Sequence, residues 1–287
     1  MRRTIPILVI LIGLLALWGC SKKNPTQATN KSQEQAFATE SQTNAVRAFD
    51  FVGSFPAGLD SFEPGQPGSF NTPYPPDTLK WKGPIQNPHQ PSPPNTWYRA
   101  HWDTTYQQSN TSVHDTVFVR FTPDIWGGGL PPVTQVDWEA LVNVIVGGTS
   151  GTTTQTSLDD SASVRYSAGG SDKTDGGIRI TGSVKANNSV ISNFIYRFTW
   201  LNCTRTGWRK TDIPHTCSGN IGWTATSSYA FQTYTLSGSY SFSNGSCSEA
   251  PVMFNNTVFA KFWFTPDGNG YYTLLSEGWQ TKHDFKW

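Results

Sequence analysis

From Trp97 to the C-terminus, apolar and polar residues alternate with a period of two over many short segments. Segment 136–146 places its valines and Trp138 on one face, and Asp137 and Glu139 on the other. A period of two is typical of a strand that buries one face and leaves the other in water. The same alternation marks segments 177–185, 190–201 and 257–275.

Turn signals separate these segments about every 10 to 15 residues, as expected of consecutive hairpins. The clearest is Asp267-Gly268-Asn269-Gly270, which combines the Asp-Gly and Asn-Gly preferences of hairpin turns. No long amphipathic helix lies between the segments, so parallel crossovers are not expected. The sequence therefore predicts an all-β fold, an antiparallel meander of about 10–12 strands curved into a barrel or half-barrel. A two-layer β-sandwich is the alternative.

The chain divides into four parts by composition. Residues 97–287 form a single antiparallel β domain of ordinary size. Residues 49–96 are rich in proline and aromatic residues, which predicts an ordered strap on the body or, alternatively, a proline-rich partner-binding segment. Residues 20–48 are rich in Ser, Thr, Asn and Gln and predict a flexible tether. A weak helical pattern over residues 34–52 leaves open a short helix packed on the body.

The first nineteen residues have the features of a secretory signal peptide. Two arginines are followed by an apolar run from Ile5 to Trp18, which is shorter than the about 20 residues that a membrane-spanning helix needs. A basic start, a short apolar segment and a small residue at the break are typical of a secretory signal peptide, here residues 1–19. An uncleaved anchor helix is the alternative.

The sequence Leu17-Trp18-Gly19-Cys20 resembles the lipobox of bacterial lipoproteins. This resemblance implies cleavage before Cys20 and attachment of acyl chains such as palmitate to that cysteine. Two or three acyl chains would give a stable membrane anchor. Because Ser21 follows the cysteine, the sorting of enterobacterial lipoproteins implies the outer membrane. We therefore expect a lipid-anchored protein of the cell envelope, on its periplasmic or surface face.

The net charge and the composition of the chain limit the kinds of molecule that it is expected to bind. The chain carries 21 basic and 20 acidic side chains, and loss of Arg2 and Arg3 with the signal peptide changes its net charge from +1 to −1. A net charge so close to zero gives no positive electrostatic potential that would attract nucleic acid, so no nucleic-acid partner is expected. Charged residues make up 14% of the chain and aromatic residues another 14%, with 12 Trp. Hydroxyl-rich, aromatic-rich strands fit this composition.

Candidate catalytic and metal-binding patterns are weak. His101 and Asp103 would share one face of a strand, as a base and its orienting partner do, but no nucleophile motif accompanies them. Residues 172–177 and 267–270 offer oxygen ligands, yet neither has the spacing of a calcium loop, and Asp or Asn beside Gly is typical of a turn. We expect no catalytic residue, no metal site and no cofactor.

Three cysteines follow Cys20, namely Cys203, Cys217 and Cys247. An extracytoplasmic location permits a disulfide, and three cysteines allow three different single bridges. Cys203 and Cys217 bracket one loop between two predicted neighbouring strands, so we predict that they are bridged and that Cys247 stays a free thiol. Closing a loop of this length would stabilise the fold by about 3 kcal/mol.

These patterns predict a non-catalytic envelope or surface lipoprotein with a structural or partner-binding β domain. One alternative is a carrier of an apolar ligand or lipid, by analogy with lipid-carrying half-barrels. Another is a carbohydrate-binding module that stacks tryptophan on sugar rings. The expected partners are the membrane, through the N-terminal lipid, and an apolar ligand, a glycan or a protein.

Overall fold

The computed structural model describes residues 31–54, 82–85, 97–106, 111–122, 135–147, 152–165, 172–187, 189–208, 210–229 and 232–287. Within these ranges it contains one α-helix, α1 (Lys31–Ser54), one sheet of thirteen strands and a short 3₁₀ turn (Leu275–Glu277). The strands are β1 Lys82–Ile85, β2 Trp97–Tyr106, β3 Thr111–Thr122, β4 Gln135–Gly147, β5 Thr152–Arg165, β6 Lys173–Ala186, β7 Ser189–Thr204, β8 Gly219–Tyr229, β9 Gln232–Phe242, β10 Cys247–Phe254, β11 Thr257–Phe264, β12 Asn269–Leu274 and β13 His283–Lys286.

The sheet is an antiparallel meander. Its strands are ordered β1 to β13 as in the chain, and each pairs antiparallel with the next. Within the described residues β1 and β13 each pair with one neighbour only, so the sheet is open rather than closed. The predicted all-β antiparallel meander is confirmed, as one open curved sheet and not as two packed layers.

The two faces of the sheet differ sharply in the second half of the chain. On β7, Phe194, Phe198 and Trp200 are buried, whereas Arg197 and Thr199 are exposed. The register carries this inward face from strand to strand across β7–β12. One buried row consists of Phe198, Trp223, Gly238, Val252, Ala260 and Leu274. The alternation in the sequence therefore predicted the inward face of β7 correctly.

Strand β4 departs from this pattern. Asp137 and Glu139, on the face that the pattern assigns to the solvent side, are only 9% and 8% exposed. Asp137 accepts a hydrogen bond of 2.8 Å from Arg120 on β3 and another of 2.8 Å from Gln135. A buried carboxylate is tolerated when it is paired and hydrogen-bonded in this way.

Helix α1 crosses the boundary between the predicted tether and the predicted strap, because residues 31–48 and 49–54 form one continuous helix. It packs on the inward face of β7–β9, β11 and β12. The buried positions recur every three or four residues, as one helix face requires. They include Glu34, Ala38, Ser41, Ala45, Ala48 and Val52.

Strand β10 was not predicted from the sequence. Glu249 has a φ of 53°, and the register with β11 shifts between Cys247 and Ala250. Pro251 also lies within the strand. A bulge and a proline interrupt the period of two, which explains why the pattern alone does not indicate a strand here.

The signal peptide, Cys20 and most of the proline-rich strap lie outside the described residues. Among the described residues, no helix combines the length and the apolar character needed to cross a membrane.

Candidate functional site

The candidate site is the interface between α1 and the inward face of β7–β12, which we call the groove. Its wall is largely aromatic, and most of its side chains are buried. The lining includes Tyr196, Phe198, Trp223, Tyr240, Phe254, Phe262 and Phe264. We call the end of the sheet that carries the hairpin turns at Asn187 and at 255–256 the upper end, and the opposite end, with the turns at 243–246 and 265–268, the lower end.

Phe49 fixes α1 at the lower end of the groove. Its side chain is 2% exposed and is surrounded by aromatic rings. The ring centroid lies 5.5 Å from that of Trp208, 6.2 Å from Tyr240, 5.3 Å from Phe242, 5.3 Å from Phe264 and 5.0 Å from Trp287. Several of these pairs meet edge to face, an arrangement favoured by aromatic quadrupoles. This part of the interface is apolar and close-packed.

The N-terminus of α1 is fixed at the upper end. Glu34 accepts a hydrogen bond of 2.9 Å from the backbone N–H of Ser276, in the 3₁₀ turn after β12. Lys31 forms an ion pair of 2.7 Å with Glu277 of the same turn. One turn further along the helix, Phe37 stacks on Phe254 at a centroid distance of 4.6 Å.

Between these two ends, α1 carries charged residues into the interface. Glu40 and Arg47 lie seven residues apart, on the same side of the helix. The Tyr234 hydroxyl on β9 donates a long hydrogen bond of 3.5 Å to Glu40 Oε2. Burial raises the pKa of Glu40 to about 7, because desolvation outweighs the hydrogen bond from Tyr234 and the charge of Arg47. Burial likewise lowers the pKa of Arg47, and it raises the pKa of Tyr196 on β7 to about 12.

Two further polar residues of α1 are buried without partners. Ser41 is 0% and Asn44 is 1% exposed. Within the described part of the chain, Ser41 Oγ and both polar atoms of the Asn44 side chain have no hydrogen-bond partner. Each such buried group costs about 1–3 kcal/mol. The middle of α1 is therefore a poor match for an aromatic wall, although both ends are well held.

The three cysteines lie at the lower end, all as buried free thiols. Burial raises the pKa of the Cys203 and Cys217 thiols to about 12 and that of Cys247 to about 11. The backbone segments next to Cys203 and Cys217 are hydrogen-bonded to each other, since the N–H of Thr204 donates to the Ser218 carbonyl at 2.9 Å. The N–H of Gly245 also donates to the Cys217 carbonyl at 2.7 Å. The Cys203–Cys217 disulfide remains a prediction, and Cys247 is brought to the same end of the sheet.

The histidines lie in different parts of the fold and do not form a common site within the described residues. His215 is 1% exposed and stacks on Trp287 at a centroid distance of 4.1 Å, with its Nδ1 3.1 Å from the Gly207 carbonyl oxygen. His283 Nε2 lies 2.6 Å from Glu277 Oε2. The register makes Asp103 the direct partner of His114 across β2 and β3, while His101 pairs with Thr116.

The carboxylates that resembled parts of calcium loops serve local structure. Asp267 Oδ1 accepts hydrogen bonds from the Thr265 hydroxyl at 2.5 Å and from the Asn269 N–H at 3.1 Å, and these contacts lower its pKa to about 2. Asp172 pairs with Arg205 at 3.4 Å. Asp175 pairs with Arg165. Among the described residues, no three His, Cys, Asp or Glu side chains are grouped as ligands of a metal ion would be.

The groove was not visible in the sequence as a site. The alternation predicted its aromatic wall, but α1 has only a weak apolar face, so its place against that wall could not be inferred. The unpartnered polar groups at Ser41 and Asn44 resemble ordinary surface positions of a helix in the sequence alone.

No protein-family model matches the sequence, no curated protein matches it in sequence, and no solved structure matches its fold.

Proposed function

We propose that the chain is a lipid-anchored, non-catalytic envelope protein whose groove binds an apolar chain, and that α1 fills the groove when no ligand is bound. One observation carries the proposal: among the described residues, the side chains of Ser41 and Asn44 in the middle of α1 are buried with no hydrogen-bond partner. Beside them, burial raises the pKa of Glu40 to about 7 despite its hydrogen bond from Tyr234. A helix that were a permanent part of the core would be expected to present apolar side chains there.

The wall itself suits a hydrocarbon chain. The buried length of α1, from Glu34 to Val52, is about 27 Å at the rise of an α-helix, which gives a long, narrow apolar track once the helix leaves. Each methylene that a ligand buries contributes about 0.8 kcal/mol. A long acyl chain therefore offers enough stabilisation to compete with a helix that buries several unsatisfied polar groups.

The lipid anchor rests on the resemblance of residues 17–20 to a lipobox. Acylation of Cys20 would hold the groove within reach of membrane lipids, the most abundant source of acyl chains in the envelope. Residues 21–30 would then connect the anchor to the first turn of α1.

A second function is favoured by a different observation. Phe49 contacts five aromatic rings and is almost completely buried, which is typical of a structural anchor. In this alternative α1 never leaves, and the protein is a structural or partner-binding module. The carbohydrate-binding alternative has less support in the groove, because Trp200, Trp208 and Trp223 are buried and cannot stack on a sugar.

Uptake of a fluorescent long-chain fatty acid by the mature chain tests the proposal. We expect wild type to bind the probe, Phe49→Ala to bind more because α1 is loosened, and Asn44→Leu to bind less because α1 is held better. Leu201→Ala is the matched control, since Leu201 is 54% exposed at the far side of the groove wall. Absence of binding in all four proteins would favour the structural module.

A further inference from the structure

The path of the chain sets which end of the sheet faces the anchor. The ion pair of Lys31 with Glu277 and the hydrogen bond from Ser276 to Glu34 hold the start of α1 at the upper end. Residues 21–30 join this point to Cys20. Ten residues span at most about 35 Å when fully extended. A bilayer that holds an acylated Cys20 is therefore within that distance of the upper end, a step that rests on the lipid anchor proposed above.

The upper end also carries exposed apolar side chains. Val190 is 52%, Ile191 is 41%, Ile145 is 43% and Leu275 is 46% exposed. Val190 and Ile191 are the second and third residues of β7, Ile145 is close to the end of β4, and Leu275 opens the 3₁₀ turn. Scattered exposed apolar residues are normal on a protein surface. Among the described residues, however, four of the six large exposed hydrophobic side chains lie at this one end.

A bulge presents one of these residues. The register between β6 and β7 shifts, so that Val184 pairs with Ser192 and Lys185 with Val190. Ile191 is left between these pairs without a partner across β6. Bulges twist a strand and redirect a side chain away from the regular face. The hairpin therefore holds two adjacent aliphatic residues, Val190 and Ile191, at its tip.

The charges at the upper end suit an anionic membrane surface. Lys282 and Lys185 lie at this end, Lys185 directly opposite Val190, and Lys31 is 67% exposed but already paired with Glu277. The carboxylate of Glu277 is already engaged by Lys31 and His283. Basic residues beside aliphatic ones favour binding to anionic headgroups.

We propose that the upper end docks on the bilayer that carries the anchor, with Val190 and Ile191 entering the headgroup region. The sheet would then stand on the membrane by the ends of its strands, and the upper end of the groove would face the lipids. This arrangement gives an acyl chain a direct path from the bilayer into the groove once the start of α1 is released.

Site-specific fluorescence on the full mature chain tests this docking. Val190→Cys and, as the matched control, Leu201→Cys are labelled with an environment-sensitive dye, since the native cysteines at 203, 217 and 247 are buried and the sulfur of an acylated Cys20 does not react with the dye. Each protein is reconstituted into vesicles of phosphatidylethanolamine and phosphatidylglycerol. We expect a blue shift and quenching by spin-labelled lipid at position 190 and neither effect at position 201. Equal, water-like signals at both positions would overturn the proposal.

A second arm separates docking from lipidation. The mature Cys20→Ser chain, which cannot be acylated, is sedimented with the same vesicles, and Val190→Asp in that background is compared with Leu201→Asp. We expect Val190→Asp alone to weaken binding about tenfold or more, the loss of one buried aliphatic side chain. Mass analysis of Cys20 in membrane-extracted wild type reports the anchor separately. An acylated chain whose two labels give the same signal would contradict docking alone, whereas an unacylated chain that still docks through Val190 would contradict the anchor alone.

Discussion

Phe49 of α1 and Trp287, which follows β13, pack edge to face with their ring centroids 5.0 Å apart. This contact joins α1, the first described element, to the residue that follows β13. His215 stacks on the same Trp287, with the two ring centroids 4.1 Å apart. The lower end of the groove is therefore closed by residues from three distant parts of the sequence, and α1 is held there mainly by aromatic packing.

Phe49→Ala should lower the free energy of unfolding by about 3–5 kcal/mol, the usual cost of removing a buried phenylalanine. The measurement is urea unfolding of the mature chain, followed by tryptophan fluorescence. Leu201→Ala, which removes an exposed side chain, should change stability by no more than about 0.5 kcal/mol. A similar small change for Phe49→Ala would mean that α1 does not occupy the groove in solution.

Asn44→Leu should raise the free energy of unfolding by about 1–3 kcal/mol, because it removes a buried group that lacks a hydrogen-bond partner. The same substitution at Gln35, which is exposed on the same helix, is the control and should have little effect. A loss of stability in Asn44→Leu would show that the asparagine has a partner in solution.

Stability should depend on pH through Glu40. Its folded-state pKa of about 7 lies above the ordinary value of 4.5, so the folded chain keeps a proton that the unfolded chain releases between these values. The free energy of unfolding should therefore fall as pH rises from about 4.5 to 7, with a contribution on the order of 2 kcal/mol.

Glu40→Gln should remove this dependence and stabilise the protein at pH 8, as measured by urea unfolding at several pH values. Asp267→Asn provides the control, since the pKa of Asp267 is lowered to about 2 and that group titrates below this window. An unchanged slope in Glu40→Gln would contradict the burial of Glu40 against Tyr234.

Cys203 and Cys217 should be linked in protein isolated from the envelope, because their neighbours Thr204 and Ser218 are directly hydrogen-bonded. Peptide mapping without reduction should find this pair and a free Cys247. Cys247→Ser should retain the bridge. A bridge that includes Cys247 would refute the assignment.

The sequence predicted the sheet far better than the site. Regular alternation and a clear Asp-Gly-Asn-Gly turn indicated β7, β11 and β12, because these strands bury one face and expose the other. Strand β10 was not predicted because Glu249 adopts a positive φ and Pro251 interrupts the alternation of apolar and polar residues. The sequence pattern assigned Asp137 to the solvent-facing side of β4. Its partner Arg120 lies on another strand, and the alternation of apolar and polar residues does not predict such a contact.

The position of α1 depended on tertiary contacts in the same way. Most of its buried positions are alanines or small polar residues, so the helix gains its stability from the groove rather than from its own amphipathic pattern. The raised pKa of Glu40 and the isolation of Asn44 arise only when α1 meets the aromatic wall. No local sequence motif predicts either the raised pKa of Glu40 or the unpartnered side chain of Asn44.

The central claim is that an apolar ligand takes the place of α1 in the groove. Hydrogen exchange of the mature chain, with and without a saturating long-chain fatty acid, tests it most directly. We predict that the amides of α1, residues 31–54, lose protection when the ligand binds, while those of β7–β9 keep or gain it. Unchanged protection of α1 in the presence of bound ligand, or no binding at all, would contradict the claim.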